Sequence, residues 1–203
     1  MLRHAAGTLP AGHALVVATH LRFCPSCRDG VRTGETTGGA ILEDMAPADL
    51  SPGALDRAMA RLDTAAVAAH AAPPVRFQGV ALPAALGALL APRWRWTGPG
   101  VRRIVLNPPG AARAERVWLL RVEPGRALPS HGHTGWEAAC VLSGGFTDRT
   151  GHYERGDVAE TDESARHRPI ASRDEPCICL IAWMGPLTPR GVLPRLFQQL
   201  NGM

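Results

Sequence analysis

GRALPSHGHTGWEAACVLSG, residues 125–144, carries His131, His133 and Glu137 within one short run. On an extended strand His131 and His133 point to the same face, which brings two imidazoles to one cation. Glu137 shares their parity, but six residues of extended chain span about 20 Å, too far for one coordination sphere. The chain must therefore bend between them, and Thr134-Gly135 is where it can. His167 offers a fourth donor, beyond a turn at Gly156-Asp157. Imidazole nitrogens with a carboxylate oxygen admit zinc, manganese or iron(II).

Around this run lie short apolar segments separated by Gly and Pro: VRRIVLN (101–107), ERVWLLRVE (115–123), EAACVLSG (137–144), DVAET (157–161) and PCICLIAWM (176–184). Their recurrence, with intervening stretches of 7 to 14 residues, predicts an all-β sandwich or barrel. Cys177 and Cys179 alternate with apolar residues, which places both on one strand face; two thiols of equal parity could also face the barrel interior as a redox pair. His152, in the turn RTGHYERG, reads as a surface residue, and VLPRLFQQL (192–200) as a short closing helix or strand.

Before residue 70 the patterns are helical. Residues 11–23 are apolar nearly all round, as in a helix buried in a bundle. LSPGALDRAMARLD (50–63) predicts a second helix, with Ser51 as N-cap, Pro52 at the first helical position, and Leu55, Met59 and Leu62 on one face. TGETTGGA (33–40) reads as a loop between them, and the Ala-rich stretch 64–76, ending near Pro73-Pro74, as a linker that begins as a frayed helix.

A second group of soft-metal ligands sits at the end of the first helix: His20, Cys24 and Cys27, in THLRFCPSC (19–27). Pro25 ends one helix and suits the first position of the next, so Cys24 becomes an N-cap and Cys27 lies in the first turn. Free N–H groups and the helix dipole there favour thiolates, the zinc-binding form. A closed structural site needs one more ligand. His13 is a poor candidate, because it lies about 10 Å along the same helix from His20.

Composition narrows the function. The chain of 203 residues is 45% apolar, without an uncharged run long enough for a membrane span and without an export signal, which points to a cytoplasmic protein. Five cysteines, an odd number, argue for reduced thiols or metal ligands over a disulfide framework. All 22 basic residues are Arg, scattered along the chain, and the first 71 residues hold 6 of them against 7 acids. That charge distribution argues against direct nucleic-acid binding.

Two motif sets give resemblances. Gly125, His131, His133, Glu137 and Gly144, followed by Gly156 and His167, resemble the two motifs of the cupins, with Asp162 and Ser164 in place of the second motif's Pro and Gly. The resemblance implies a double-stranded β-barrel (jelly roll) whose mouth holds a metal on three His and one carboxylate. HxxxCxxC at His20, Cys24 and Cys27 resembles the zinc-binding anti-sigma domain, and the words AAGTL, LVVATHL, HGH and CICL in that order resemble the ChrR type of anti-sigma factor over nearly the whole chain. The resemblance implies two domains: a small all-α helical bundle with a zinc knuckle at 1–71, a linker at 72–77, and an all-β cupin at 78–203. It further implies two metal sites, zinc in the knuckle and zinc, manganese or iron in the barrel. The partner would be an extracytoplasmic-function sigma factor, bound through residues 1–71 and released under singlet oxygen or organic peroxide. The family's first histidine precedes the AAGTL word, which here begins at Ala5, so the fourth knuckle ligand is expected from His4 or from a preceding segment. The rival expectation is an enzyme, a metal-dependent cupin oxygenase or isomerase whose helical segment serves oligomerisation; HxxxCxxC has no use in it.

Overall fold

CICLIAWM has no polar alternation, as expected of a strand covered on both faces. In the computed structural model, which describes residues 1–64, 75–77, 80–82, 84–87, 89, 93–186 and 188, it is the pivot of the molecule. The helices are α1 (Leu2–Ala5), α2 (Ala11–His20), α3 (Pro25–Glu43), α4 (Ala54–Thr64) and the short α5 (Ala84–Gly87). The strands are β1 (Val75–Phe77), β2 (Val80–Leu82), β3 (Arg95–Gly98), β4 (Val101–Leu106), β5 (Glu115–Val122), β6 (His131–Gly132), β7 (Glu137–Ser143), β8 (Gly145–Thr147), β9 (His152–Glu154), β10 (Val158–Thr161), β11 (Arg166–His167), β12 (Ile170–Ala171) and β13 (Cys177–Met184). The five strands predicted from sequence are β4, β5, β7, β10 and β13, and all five join one antiparallel six-stranded sheet of order β10-β7-β13-β5-β4-β3.

Each central strand feeds two cores. Val101, Trp118, Leu120, Val141, Cys177, Cys179 and Trp183 point inward, toward Phe146 of β8 and Ala171 of β12 in the smaller sheet β12-β8-β9. Ile104, Val117, Leu119, Cys140, Leu142 and Leu180 point outward and pack on Leu15 and Val16 of α2 with Leu82 and Leu86. The first helix is thus buried as its sequence predicts, but its core is the outer face of the β-sheet and not a set of neighbouring helices. Burying Leu15 and Val16 contributes about 1.5–3 kcal/mol each. Gly12 permits the approach: a Cβ there would collide with Cγ2 of Val117.

Three local expectations are corrected. TGETTGGA is not a loop but the middle of α3, which runs unbroken for 19 residues. Thr33 and Thr37 donate their hydroxyls to the carbonyls of Asp29 and Thr33, inside the helix, and Gly34 lets α1 lie close, with Ala5 Cβ 3.1 Å from where a Cβ would stand. The second predicted helix begins at Ala54 and not at Pro52, because Gly53 takes φ +73° in the turn before it. Ser51 offers its carbonyl to Ala54 N–H and its hydroxyl to Arg57, so it holds that turn instead of capping. The segment 72–77, read as linker, ends in β1, which pairs with β2. Residues 65–74 and the stretch 192–200 lie outside the described residues.

Candidate metal centres

The barrel mouth is assembled by pairing. β6 and β11 pair antiparallel with His167 opposite His131, and the chain bends at Thr134 and Gly135 to bring Glu137, the first residue of β7, back to the same point. Gly135 lets that bend lie tight against β13, since a Cβ there would stand 3.1 Å from Met184 Cβ and from its carbonyl oxygen. Nε2 of His167 lies 3.0 Å from Nε2 of His131 and 3.4 Å from Nε2 of His133, while His133 Nε2 is 3.0 Å from Glu137 Oε2. All four donor atoms lie within 4.8 Å of one another. Neighbouring donors around a tetrahedral zinc with bonds of 2.0–2.1 Å stand about 3.3 Å apart, so the set fits one divalent cation.

The far sides of two of the three rings fix their orientation, whereas His133 Nδ1 is buried without a hydrogen-bond partner among the described residues. His131 Nδ1 donates to the Pro129 carbonyl at 2.7 Å, and His167 Nδ1 to Asp148 Oδ2 at 3.2 Å, leaving both Nε2 atoms as bare lone pairs toward the centre. Asp148 is itself held by the N–H and hydroxyl of Thr150, at 2.7 and 2.5 Å. Burial depresses the imidazoles, His131 to about 4 and His133 to about 3, so neither is protonated at neutral pH. Burial, with the Asp148 charge, pushes Glu137 up to about 8 in the absence of a cation. Asp148 stays below the ordinary carboxylate range: burial raises it, but the Thr150 and His167 hydrogen bonds outweigh that. The proton that this carboxyl holds lies within reach of the His133 Nε2 lone pair at 3.0 Å, and a cation bound among these donors would have to displace it.

The second cluster lies at the α2–α3 junction. Cys24 caps α3, accepting from Cys27 N–H at 3.5 Å, and Pro25 takes the first position. His20 Nδ1 donates to the Gly156 carbonyl at 2.6 Å, which frees its Nε2, and the donor atoms of His20, Cys24 and Cys27 lie within 4.8 Å of one another. The Cys27 N–H and thiol draw the Cys24 thiol downward, while Cys27, donating to Cys24, is raised. The pair thus favours one thiolate by itself, and a cation is what would favour two. His4, on α1, is not among the converging side chains.

Comparison with known proteins decides the family. The ChrR cupin-like domain matches residues 85–187. The anti-sigma-E factor ChrR of Cereibacter sphaeroides is 38% identical over 200 residues, covering 96% of this chain and 91% of that protein. The chain belongs to the ChrR family. The crystal structure of Rhodobacter sphaeroides SigE in complex with the anti-sigma ChrR superimposes with a TM-score of 0.74 at 38% identity, over 90% of this chain and 93% of that one. The helical N-terminal region followed by a cupin-like β-domain is therefore the ChrR architecture.

In this ChrR-family chain the seven side chains singled out from sequence fall into two clusters that could hold metal. His152 is exposed and bonded to Thr147 and Glu154. Cys177 and Cys179 are buried inside the barrel with their sulfurs 3.5 Å apart. Sequence reading missed Asp148: DRTG announces a turn, but nothing in it announces contact with a histidine 19 residues on. It also missed a third buried polar site. His13, fully buried, pairs with Glu115 Oε1 at 2.8 Å through Nδ1 and at 3.1 Å through its backbone N–H, and its ring stacks on Trp136 at 4.2 Å. That pair anchors the N-terminal end of α2 to the sheet.

Proposed function

We propose that this protein is an anti-sigma factor that sequesters an extracytoplasmic-function sigma factor in the cytoplasm and releases it under oxidative stress, singlet oxygen or organic peroxide. It is a regulator and not an enzyme. The carrying observation is the match to ChrR along nearly the whole chain, in sequence and in fold. The described residues contain no helix long and apolar enough to cross a membrane, which agrees with a site of action at the sigma factor.

The helical region carries a surface suited to that partner. Leu55, Met59 and Leu62 line one side of α4, and Ile41, Leu42 and Met45 crowd the end of α3, each more than half exposed. Soluble monomers seldom leave such apolar rows uncovered, so α3 and α4 are the elements that grip sigma. His20, Cys24 and Cys27 hold zinc in the knuckle; His131, His133, Glu137 and His167 hold zinc, or manganese or iron(II), in the barrel. A cation at the barrel mouth would tie β6, β7 and β11 into one arrangement, and its loss or oxidation of the mouth is the event that favours release.

Co-expression of the full chain with the sigma factor encoded beside its gene tests this reading. A stable 1:1 complex is expected, lost with Leu55→Asp/Met59→Asp and with Cys24→Ala/Cys27→Ala. Retention of the complex in both variants would remove the helical region from the mechanism, and absence of any complex with the wild-type chain would refute the function.

A further inference from the structure

The turn that precedes β10 is where the barrel touches the knuckle. His20 Nδ1 donates to the Gly156 carbonyl at 2.6 Å, across 136 residues of chain. Beside that bond, Phe23 seats on Gly156 so closely that a Cβ would stand 2.8 Å from Phe23 Cβ, and Gly156 holds φ +96°, which a side chain would strain. The Arg155 guanidinium lies 5.4 Å from the Phe23 ring centroid, closing the other side. Phe23 and His20 move as one unit, because Phe23 N–H and Cys24 N–H both donate to the His20 carbonyl, at 2.8 and 3.1 Å.

We propose that the Arg155-Gly156 turn is a docking site for the zinc knuckle, so that zinc binding at His20, Cys24 and Cys27 and seating of the knuckle on the barrel strengthen each other. The inference rests on reading those three residues as zinc ligands. A histidine that ligates through Nε2 needs its Nδ1–H held in one direction, and here the holding group belongs to the other domain. By linkage, whatever factor docking adds to zinc affinity, zinc adds to docking.

The turn is also wired to the barrel cluster. Gly156 N–H donates to Val141 O at 2.8 Å and Val141 N–H to Asp157 O at 3.0 Å, and Val141 lies on β7, whose first residue is Glu137. β10, immediately after the turn, pairs along β7 with Thr161 opposite Glu137. One hydrogen-bonded ladder thus connects the barrel mouth to the turn on which the knuckle sits.

The test compares full-length wild type, Gly156→Ala and Phe23→Ala for zinc affinity by competition with a chromophoric chelator. Reaction of Cys24 and Cys27 with a thiol reagent and metal content of the barrel are followed in parallel. Gly156→Ala is expected to weaken knuckle zinc about 10–100-fold, with faster thiol reaction and the barrel metal retained. Phe23→Ala, which leaves the turn's backbone alone, is expected to shift both readouts in the same direction. Unchanged zinc affinity in both variants, with thiols equally protected, would overturn the docking proposal while leaving the zinc site standing. Simultaneous loss of both metals in both variants would signal general unfolding and overturn it too. A wild-type chain that binds no zinc at the knuckle would remove the zinc reading itself, and the proposal with it.

Discussion

Replacing His13 should cost more than replacing any exposed residue of the helical region, and restoring neutrality at its partner should recover the loss. His13 and Glu115 side chains are both fully inaccessible, and Glu115 Oε2 has no hydrogen-bond partner among the described residues. With His13→Leu the Glu115 carboxylate keeps one backbone donor, the N–H of residue 13, and loses its imidazole. Breaking a buried pair from one side costs about 3–5 kcal/mol, and loss of the Trp136 stack adds roughly 0.5–1.5 kcal/mol. In a chain of this size each kcal/mol lowers the melting temperature by about 2–4 °C, so a total of about 3.5–6.5 kcal/mol should make the single variant melt roughly 7–26 °C lower. His13→Leu/Glu115→Met removes both polar groups, and replacing a buried pair by apolar side chains is often neutral, so most of the loss should return. Thermal denaturation followed by circular dichroism measures the total, and hydrogen exchange of α2 amides shows whether the damage is local to the docked helix. A double variant no more stable than the single one would refute the reasoning, because the cost would then lie in packing and not in a stranded carboxylate.

Asp148→Asn keeps an acceptor near His167 Nδ1 but removes its charge, and should weaken cation binding at the barrel mouth about 10–100-fold, measured by chelator competition, with the fold intact by circular dichroism. Cation uptake there should release protons. At pH 7 a Glu137 carboxyl held at about 8 carries about 0.9 proton, His131 and His133 carry none, and the carboxylate must be bare to bind. Calorimetry in buffers of different ionisation enthalpy should thus show nearly one proton released at pH 7, about half at pH 8 and little above pH 9; no buffer dependence at pH 7 would contradict it. Gly38→Ala in α3 meets no atom within 4 Å and should stabilise the free chain by about 1 kcal/mol. If the same change weakens the sigma complex, the partner approaches α3 at that glycine.

Much of this protein was legible in one dimension. The apolar strands were readable because a strand buried on both faces leaves an uninterrupted apolar run, as CICLIAWM does, and the candidate ligands because HxHxxxE and HxxxCxxC are local patterns. Cys24 as a cap with Pro25 behind it is equally a matter of adjacent residues. Glycine-rich TGETTGGA misled because propensity is weak beside tertiary context: α1 packs against α3 at Gly34, and the threonines bond within the helix. Only the folded chain decides which distant groups meet. Asp148 finds His167, Glu115 finds His13, and the Gly156 carbonyl finds His20 across 19, 102 and 136 residues. Backbone carbonyls carry no sequence signature, and a lone acid or histidine reads the same whether solvated or buried. Periodicity and spacing determine what a segment will be, whereas the pairing of buried polar groups depends on a three-dimensional register that no short stretch encodes.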